Sequence, residues 1–265
     1  ALATQTVVEN MGHCCEIIDY IRDDEHYSQH EKTILKRKPG WNNNLIKRTL
    51  YLLLRQPESV LAGKRFEKAQ RKYLKLTERY HTLEQLSNNI PSADVYMTGS
   101  DQTWNPRYYA DDHSFLLNFA PDDKPKVAYA ASYGTSEFYP QYTEVYSKYL
   151  KRYDAISTRE STGVKITSDL SGKKAVHCCD PTFLLTKGDW MEFAAAENPI
   201  KGKYVLVYIQ AYAINPYPYA DQLAKRVKKL IGADHVIVLN SEIYEIAKGF
   251  KPMIGAGPHE FLRLF

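Results

Sequence analysis

The sequence is poor in most of the features that mark a specialised class. Cysteine occurs only four times in 265 residues, and glycine and proline thirteen times each. Those counts exclude a disulfide scaffold, a collagen and a low-complexity chain. Apolar runs such as 50–54 fall far short of the roughly 20 residues of a membrane-spanning helix. Residues 1–10 lack a basic flank followed by an apolar core, so no secretory signal is visible. No Cys-x-x-Cys or His-Glu-x-x-His spacing is present and the histidines are scattered, so no metal is expected. Neither a Gly-x-Gly-x-x-Gly nor a Gly-Lys-Ser/Thr string is found, which speaks against dinucleotide oxidoreductases and phosphate-loop enzymes.

What is present is an ordinary globular mix, 44% hydrophobic and 25% charged, enough for one large or two medium domains. The formal charge of +4 permits an anionic substrate and gives no reason to expect a nucleic-acid partner. Tyrosine is used 21 times, which suits either stacking on sugars or plain packing. The cysteines form two vicinal pairs, Cys14-Cys15 and Cys178-Cys179. If each pair lies in a strand, one thiol points inward and one outward. All four read as reduced thiols of a cytoplasmic protein.

Short apolar runs alternate with longer helical patterns. Strands are expected at 14–19, 94–98, 127–131, 155–157 and 175–178, and helices at 44–55, 58–80, 140–152 and 160–169. This βαβα order argues for a doubly wound parallel sheet. A second unit begins near Lys201, with strands at 204–209 and 235–240 around a helix at 217–231. The expected division is a first Rossmann-like domain over 1–183, a linker over 184–200 with a short helix at Ala194 to Ala196, and a partial second domain over 201–265. Two such domains face each other in a GT-B-like arrangement. Residues 1–11 read as the back of a helix capped by Gly12, and 257–265 as the start of another. The chain is therefore expected to be part of a longer protein, with a first strand and loop preceding Ala1. The basic run Lys64, Arg65, Lys68, Arg71, Lys72, Lys75 and Arg79 reads as a solvated helix face, because its members do not share one narrow stripe.

In open α/β sheets ligands bind beyond the carboxyl ends of the strands, and the informative residues sit there. Gly99 permits a tight turn or close ligand approach. Ser100, Asp101, Gln102 and Asn105 supply donors and acceptors, and Trp104 offers a stacking face. Ser132 follows the next strand. Arg159 stands at a strand end and helix start, a natural anion site or a partner for Glu160 or Asp180. Asp180-Pro181-Thr182 makes a fourth turn on the same edge.

The string Gly99-Ser100-Asp101-Gln102-Thr103-Trp104-Asn105-Pro106 resembles the Gly-Ser-Asp-Gln-x-Trp-Asn-Pro motif of the polysaccharide pyruvyl transferase family. Ordered weaker likenesses agree. They are Gly12-His13 through Ile18-Asp19-Tyr20, Tyr129-Ala130-Ala131-Ser132-Tyr133-Gly134, Ile156-Ser157-Thr158-Arg159-Glu160, Asp180-Pro181-Thr182 and Gly257-Pro258-His259-Glu260-Phe261. The resemblance implies a GT-B-like fold and transfer of a pyruvyl group from phosphoenolpyruvate to sugar hydroxyls as a ketal, in cell-surface polysaccharide or exopolysaccharide biosynthesis. Asp101 would orient or deprotonate the acceptor. Gly99, Ser100, Gln102, Trp104, Asn105, Ser132, Arg159 and Asp180 would bind substrate, with Arg159 contacting an anion. No cofactor is implied beyond the donor substrate. The acceptor is a saccharide, lipid-linked saccharides included, which is compatible with peripheral association at the inner face of the membrane. The family's Gly-rich opening loop and its later Ser-Phe-His-Gly segment are not among these residues, so the fragment alone is expected to be inactive. Two other readings stay open: a GT-B glycosyltransferase using a nucleotide sugar, and a non-catalytic saccharide-binding protein of the same fold.

Overall fold

The computed structural model describes residues 1–22, 26–36, 38–109, 112–194, 197–208, 216–239, 247–253 and 255–265. Its elements begin with α1 (Leu2–Asn10), β1 (Ile17–Tyr20), α2 (His30–Lys36), α3 (Pro39–Asn42), α4 (Leu45–Tyr73) and β2 (Leu76–Tyr80). Next come α5 (Leu83–Asn88), β3 (Tyr96–Thr98), α6 (Pro106–Tyr109), β4 (Lys126–Ala131), α7 (Thr143–Leu150), β5 (Ala155–Thr158), α8 (Ser161–Ser171) and β6 (Val176–His177). The last are α9 (Lys187–Phe193), β7 (Tyr204–Tyr208), α10 (Tyr219–Ile231), β8 (His235–Leu239), β9 (Lys251–Pro252) and α11 (Pro258–Leu264). The expected strand ends Ile209 and Asn240, and Ala195 and Ala196 of the expected linker helix, lie outside the described residues.

The fold is α/β, and every strand pairing among the described residues is parallel. Two compact units are formed, one of Ala1–His26 with Arg71–Thr186, the other of Tyr27–Gln70 with Lys187–Phe265. Thus 27–70, which a linear division leaves with the first domain, groups with the second half of the chain. The first unit holds a two-stranded sheet, β1-β2, and a four-stranded sheet in the order β3-β4-β5-β6. The second holds β7-β8-β9.

Two expected helices, 44–55 and 58–80, are one helix that stops sooner. Pro57 lies inside α4 without ending it. A proline removes only its own N–H from the helix ladder, and neighbouring turns can carry the helix past it. The helix stops at Tyr73 because Leu76–Tyr80 pairs with β1. There the Asp19 amide donates to Thr77 Oγ1, and Arg79 Nε reaches Asp19 Oδ2 at 2.9 Å. Lys75 and Arg79 are therefore not part of a basic helix. The vicinal cysteines also lie just outside β1 and β6 rather than in them. All four thiols are unpaired and none is buried, so the expected alternation of faces has no strand to act on.

The core of the first unit explains much of the tyrosine. Tyr133, Tyr146 and Tyr153 are buried with Trp104, which stacks at a tilt on Tyr133 and edge-on against Tyr153. The carbonyls of the 117–124 loop are gathered by two cations. Lys126 Nζ donates to Pro121 and Lys124, and Arg152 to Leu117, Asn118 and Ala120. Among the described residues no helix is long and apolar enough to cross a membrane.

One irregularity aims the sheet at the site. Ala130, inside β4, has φ 54°, and the β4–β5 register shifts between Ala128 and Ala131. A non-glycine residue in the left-handed region is strained, and a bulge there turns the strand end. Ser157 of β5 bridges the bulge, its hydroxyl donating to the Ala128 carbonyl at 3.1 Å and accepting from the Ala130 amide at 3.0 Å. Ser157→Ala leaves that buried amide unpaired. It should cost about 1–3 kcal/mol of stability, read as a lowered midpoint of denaturant unfolding.

Candidate functional site

The carboxyl ends of β3, β4, β5 and β6 deliver four loops to one rim of the first unit. The loop after β3 is zipped to the end of β4 by backbone. The Ser132 amide donates to the Asp101 carbonyl at 3.0 Å, and the Trp104 amide to the Ser132 carbonyl at 3.1 Å. Between these bonds Asp101 takes φ 76°. Aspartate tolerates this region better than most residues because its short side chain bonds locally. Here its Oδ1 accepts from the Gln102 amide at 2.9 Å. Gly134 sits under the loop at φ 61°, where a Cβ would overlap the Gln102 side chain. Gly99 differs: a Cβ there would meet nothing within 4 Å.

Arg159, on the turn between β5 and α8, is the hub. Its guanidinium lies 3.1 Å from Asp180, 3.4 Å from Glu160 and 3.8 Å from Asp101. Ser100 Oγ donates to Asp180 Oδ2, the oxygen that also receives Arg159. Asp180 Oδ1 accepts from the Thr182 amide and hydroxyl, capping the turn Pro181–Leu184. Ser132 Oγ donates to Glu160 Oε1 at 2.5 Å and accepts from the Gly134 amide. Side chains from three loops thus converge on one cation, while Asp101 stays 86% exposed.

The expected contact residues divide into two layers. Gly99, Ser100, Asp101, Gln102, Arg159 and Asp180 are exposed or half-buried at the rim. Trp104, Asn105 and Ser132 are buried beneath it. Trp104 has no open face for stacking: its ring is fully enclosed and its Nε1 donates to the Phe115 carbonyl at 3.0 Å. A large indole next to a polar loop is needed as a floor, since the loop must be anchored by burying apolar area. Asn105 donates to Gln102 Oε1 at 2.7 Å and accepts from the Arg107 amide, holding the start of α6. Glu160 was not among the expected contact residues, yet it links Ser132 to Arg159. Its place directly after Arg159 in sequence was the available signal. Among the described residues no group of three or more His, Cys, Asp or Glu is placed to hold a metal ion.

Three carboxylates around one guanidinium leave this part of the rim acidic. Burial works to raise the Asp180 carboxyl, but the Ser100 hydroxyl, the Thr182 amide, Arg159 and the Thr182 hydroxyl together bring it down to about 2. Burial also works against the Arg159 charge, and the Asp180 and Glu160 carboxylates more than offset it, so its proton is held more tightly than usual. A carboxylate depressed in the folded state adds stability above its unfolded pKa of 3.8, and that contribution is lost as pH falls toward about 2. Asp180→Asn should therefore unfold with a shallower pH dependence across that window than the parent chain, measured by acid titration of circular dichroism.

No curated protein and no solved structure matches the chain significantly. The family model of the polysaccharide pyruvyl transferases matches residues 1–265, and the chain belongs to that family.

Proposed function

We propose that the protein transfers a pyruvyl group from phosphoenolpyruvate to two hydroxyls of a saccharide, forming a cyclic ketal during cell-surface polysaccharide biosynthesis. The observation that carries this reading is the convergence of Ser100, Asp101, Arg159, Glu160 and Asp180 at the carboxyl ends of parallel strands, in a chain matched end to end by the family. In this reading the α/β fold is of the GT-B type, built from Rossmann-like domains. This reading puts the reaction in the cytoplasm, a reducing compartment with which four free thiols are compatible.

The chemistry assigns a clear task to an acidic rim. A general acid protonates the alkene carbon of the donor and leaves an oxocarbenium-like centre at its neighbour. A sugar hydroxyl attacks that centre and gives up its proton. The bond to the phosphate oxygen then breaks, inorganic phosphate leaves, and a second hydroxyl closes the ketal with loss of its proton. Carboxylates accept hydrogen bonds from sugar hydroxyls and take their protons, whereas an anionic donor is repelled by them. The rim therefore suits the acceptor, with Asp101, the most exposed carboxylate, as base. Arg159 is held by Asp180 and Glu160, which makes it a positioning residue that fixes the loops. It offers the donor only the side loosely facing Asp101 at 3.8 Å.

Acceptor-dependent phosphate release from phosphoenolpyruvate by the full-length protein tests the reading. Asp101→Asn, which keeps a residue tolerant of φ 76°, should lower kcat by about 10²–10⁴-fold without moving Tm. Binding of a nucleoside diphosphate with no use of phosphoenolpyruvate would favour a nucleotide-sugar glycosyltransferase. Glycan binding with no phosphate released would favour a binding protein. Gly99→Ala gives a second check. The fold leaves room for the methyl, so Tm should hold while KM rises at least about tenfold if substrate packs against the loop backbone. An unchanged KM places the substrate elsewhere.

A further inference from the structure

We propose that α4 lays the protein onto an anionic lipid surface. The inference rests on this helix alone and stands or falls independently of pyruvyl transfer.

One side of α4 is firmly held within the second unit. The hydroxyls of Tyr51 and Ser59 donate to Glu31, a carboxylate buried at 1% exposure. Gln56 donates to the Ser28 carbonyl and Glu67 accepts from the Tyr27 hydroxyl. These contacts fix the rotation of the helix about its axis, and with it the face left outward. That face carries Ile46, Leu50, Leu53, Leu54, Pro57 and Leu61, at helical spacings of i, i+4, i+7, i+8, i+11 and i+15. Ile46 is 79% exposed, Leu53 69% and Leu54 61%, and Leu50 and Leu61 are about half exposed. A stripe of this length, about 22 Å along the axis, is not scattered surface hydrophobicity.

Charge identifies what covers it. Eight basic and two acidic residues lie between Leu45 and Tyr73. The helix therefore carries a formal +6, while the whole chain carries +4, so everything outside the helix sums to −2. Lys47 borders the stripe near its start, and Lys64 and Lys68 continue its spacing past Leu61. An apolar face continued by lysines calls for hydrocarbon beside negative charge, which an anionic bilayer offers in one plane. A second copy would instead bring one +6 helix against another. The helix is too charged to cross a membrane, so it lies in the interface.

The test is flotation of the full-length protein with vesicles of phosphatidylcholine alone or mixed equally with phosphatidylglycerol. Binding to the mixed vesicles should be at least about tenfold stronger and weaken with salt. Leu50→Glu with Leu53→Glu should abolish it. Lys64→Glu with Lys68→Glu should remove the preference for anionic lipid while far-UV circular dichroism stays unchanged, and this pair decides the matter if the leucine variant fails to fold. Equal binding to both vesicles, no binding, or binding unaffected by either pair overturns the proposal. So does a dimer in sedimentation equilibrium that the leucine pair splits, which would make the stripe an interface between copies.

Discussion

Arg159 reaches three carboxylates that arrive on separate turns of the rim, and the side chains of those turns are held together through it. Its bond to Asp180 ties the turn after β6 to the turn after β5. Ser100, sharing the same Asp180 oxygen, ties in the loop after β3. Glu160 passes the connection on to Ser132 at the end of β4. Partly screened ion pairs of this kind are worth little singly. Here they are hydrogen-bonded into one network, and loss of the guanidinium would leave like charges facing one another. The arrangement is held by a balance of charge that no single carboxylate could keep.

That balance also sets the site's chemical character. Neutral hydroxyl groups can approach a cluster with surplus carboxylate oxygens and be bound by donating to them. Doubly or triply charged ligands meet repulsion unless cations come from elsewhere. The bulge at Ala130 and the left-handed turn at Asp101 belong to the same design, since both bend backbone at the point where strand gives way to rim. Strain at two non-glycine positions persists because backbone bonds between the loops, and Ser157 behind them, hold each in place.

The parallel α/β fold was legible in the alternation of short apolar runs and helical stretches, and the loops at the strand ends were legible as a group. The joining of 44–55 and 58–80 was not. A proline reads as a helix end, and only the packing of Tyr51 and Ser59 on Glu31 shows why the helix continues past it. The stripe on α4 was hidden for the same reason, since its members straddle Pro57. Nor could sequence separate rim from floor. Trp104 and Asp101 are three residues apart in one polar motif, yet one is enclosed and the other open, because a left-handed residue between two cross-loop bonds reverses which way the chain faces. The tyrosines likewise gave no hint of which would stack in the interior around Trp104.

The indole beneath the loop gives the protein an intrinsic optical gauge. Trp104 is sealed from water and tied through Nε1 to the Phe115 carbonyl, so its emission is expected to the blue of that from Trp41, which is 42% exposed. Its backbone amide is bonded to the strand end beside the bulge. Any rearrangement that lifts the loop, thermal or ligand-driven, must alter the solvent or the dipoles around that ring. The fluorescence of the unlabelled chain therefore carries a component that reads the state of the rim from below.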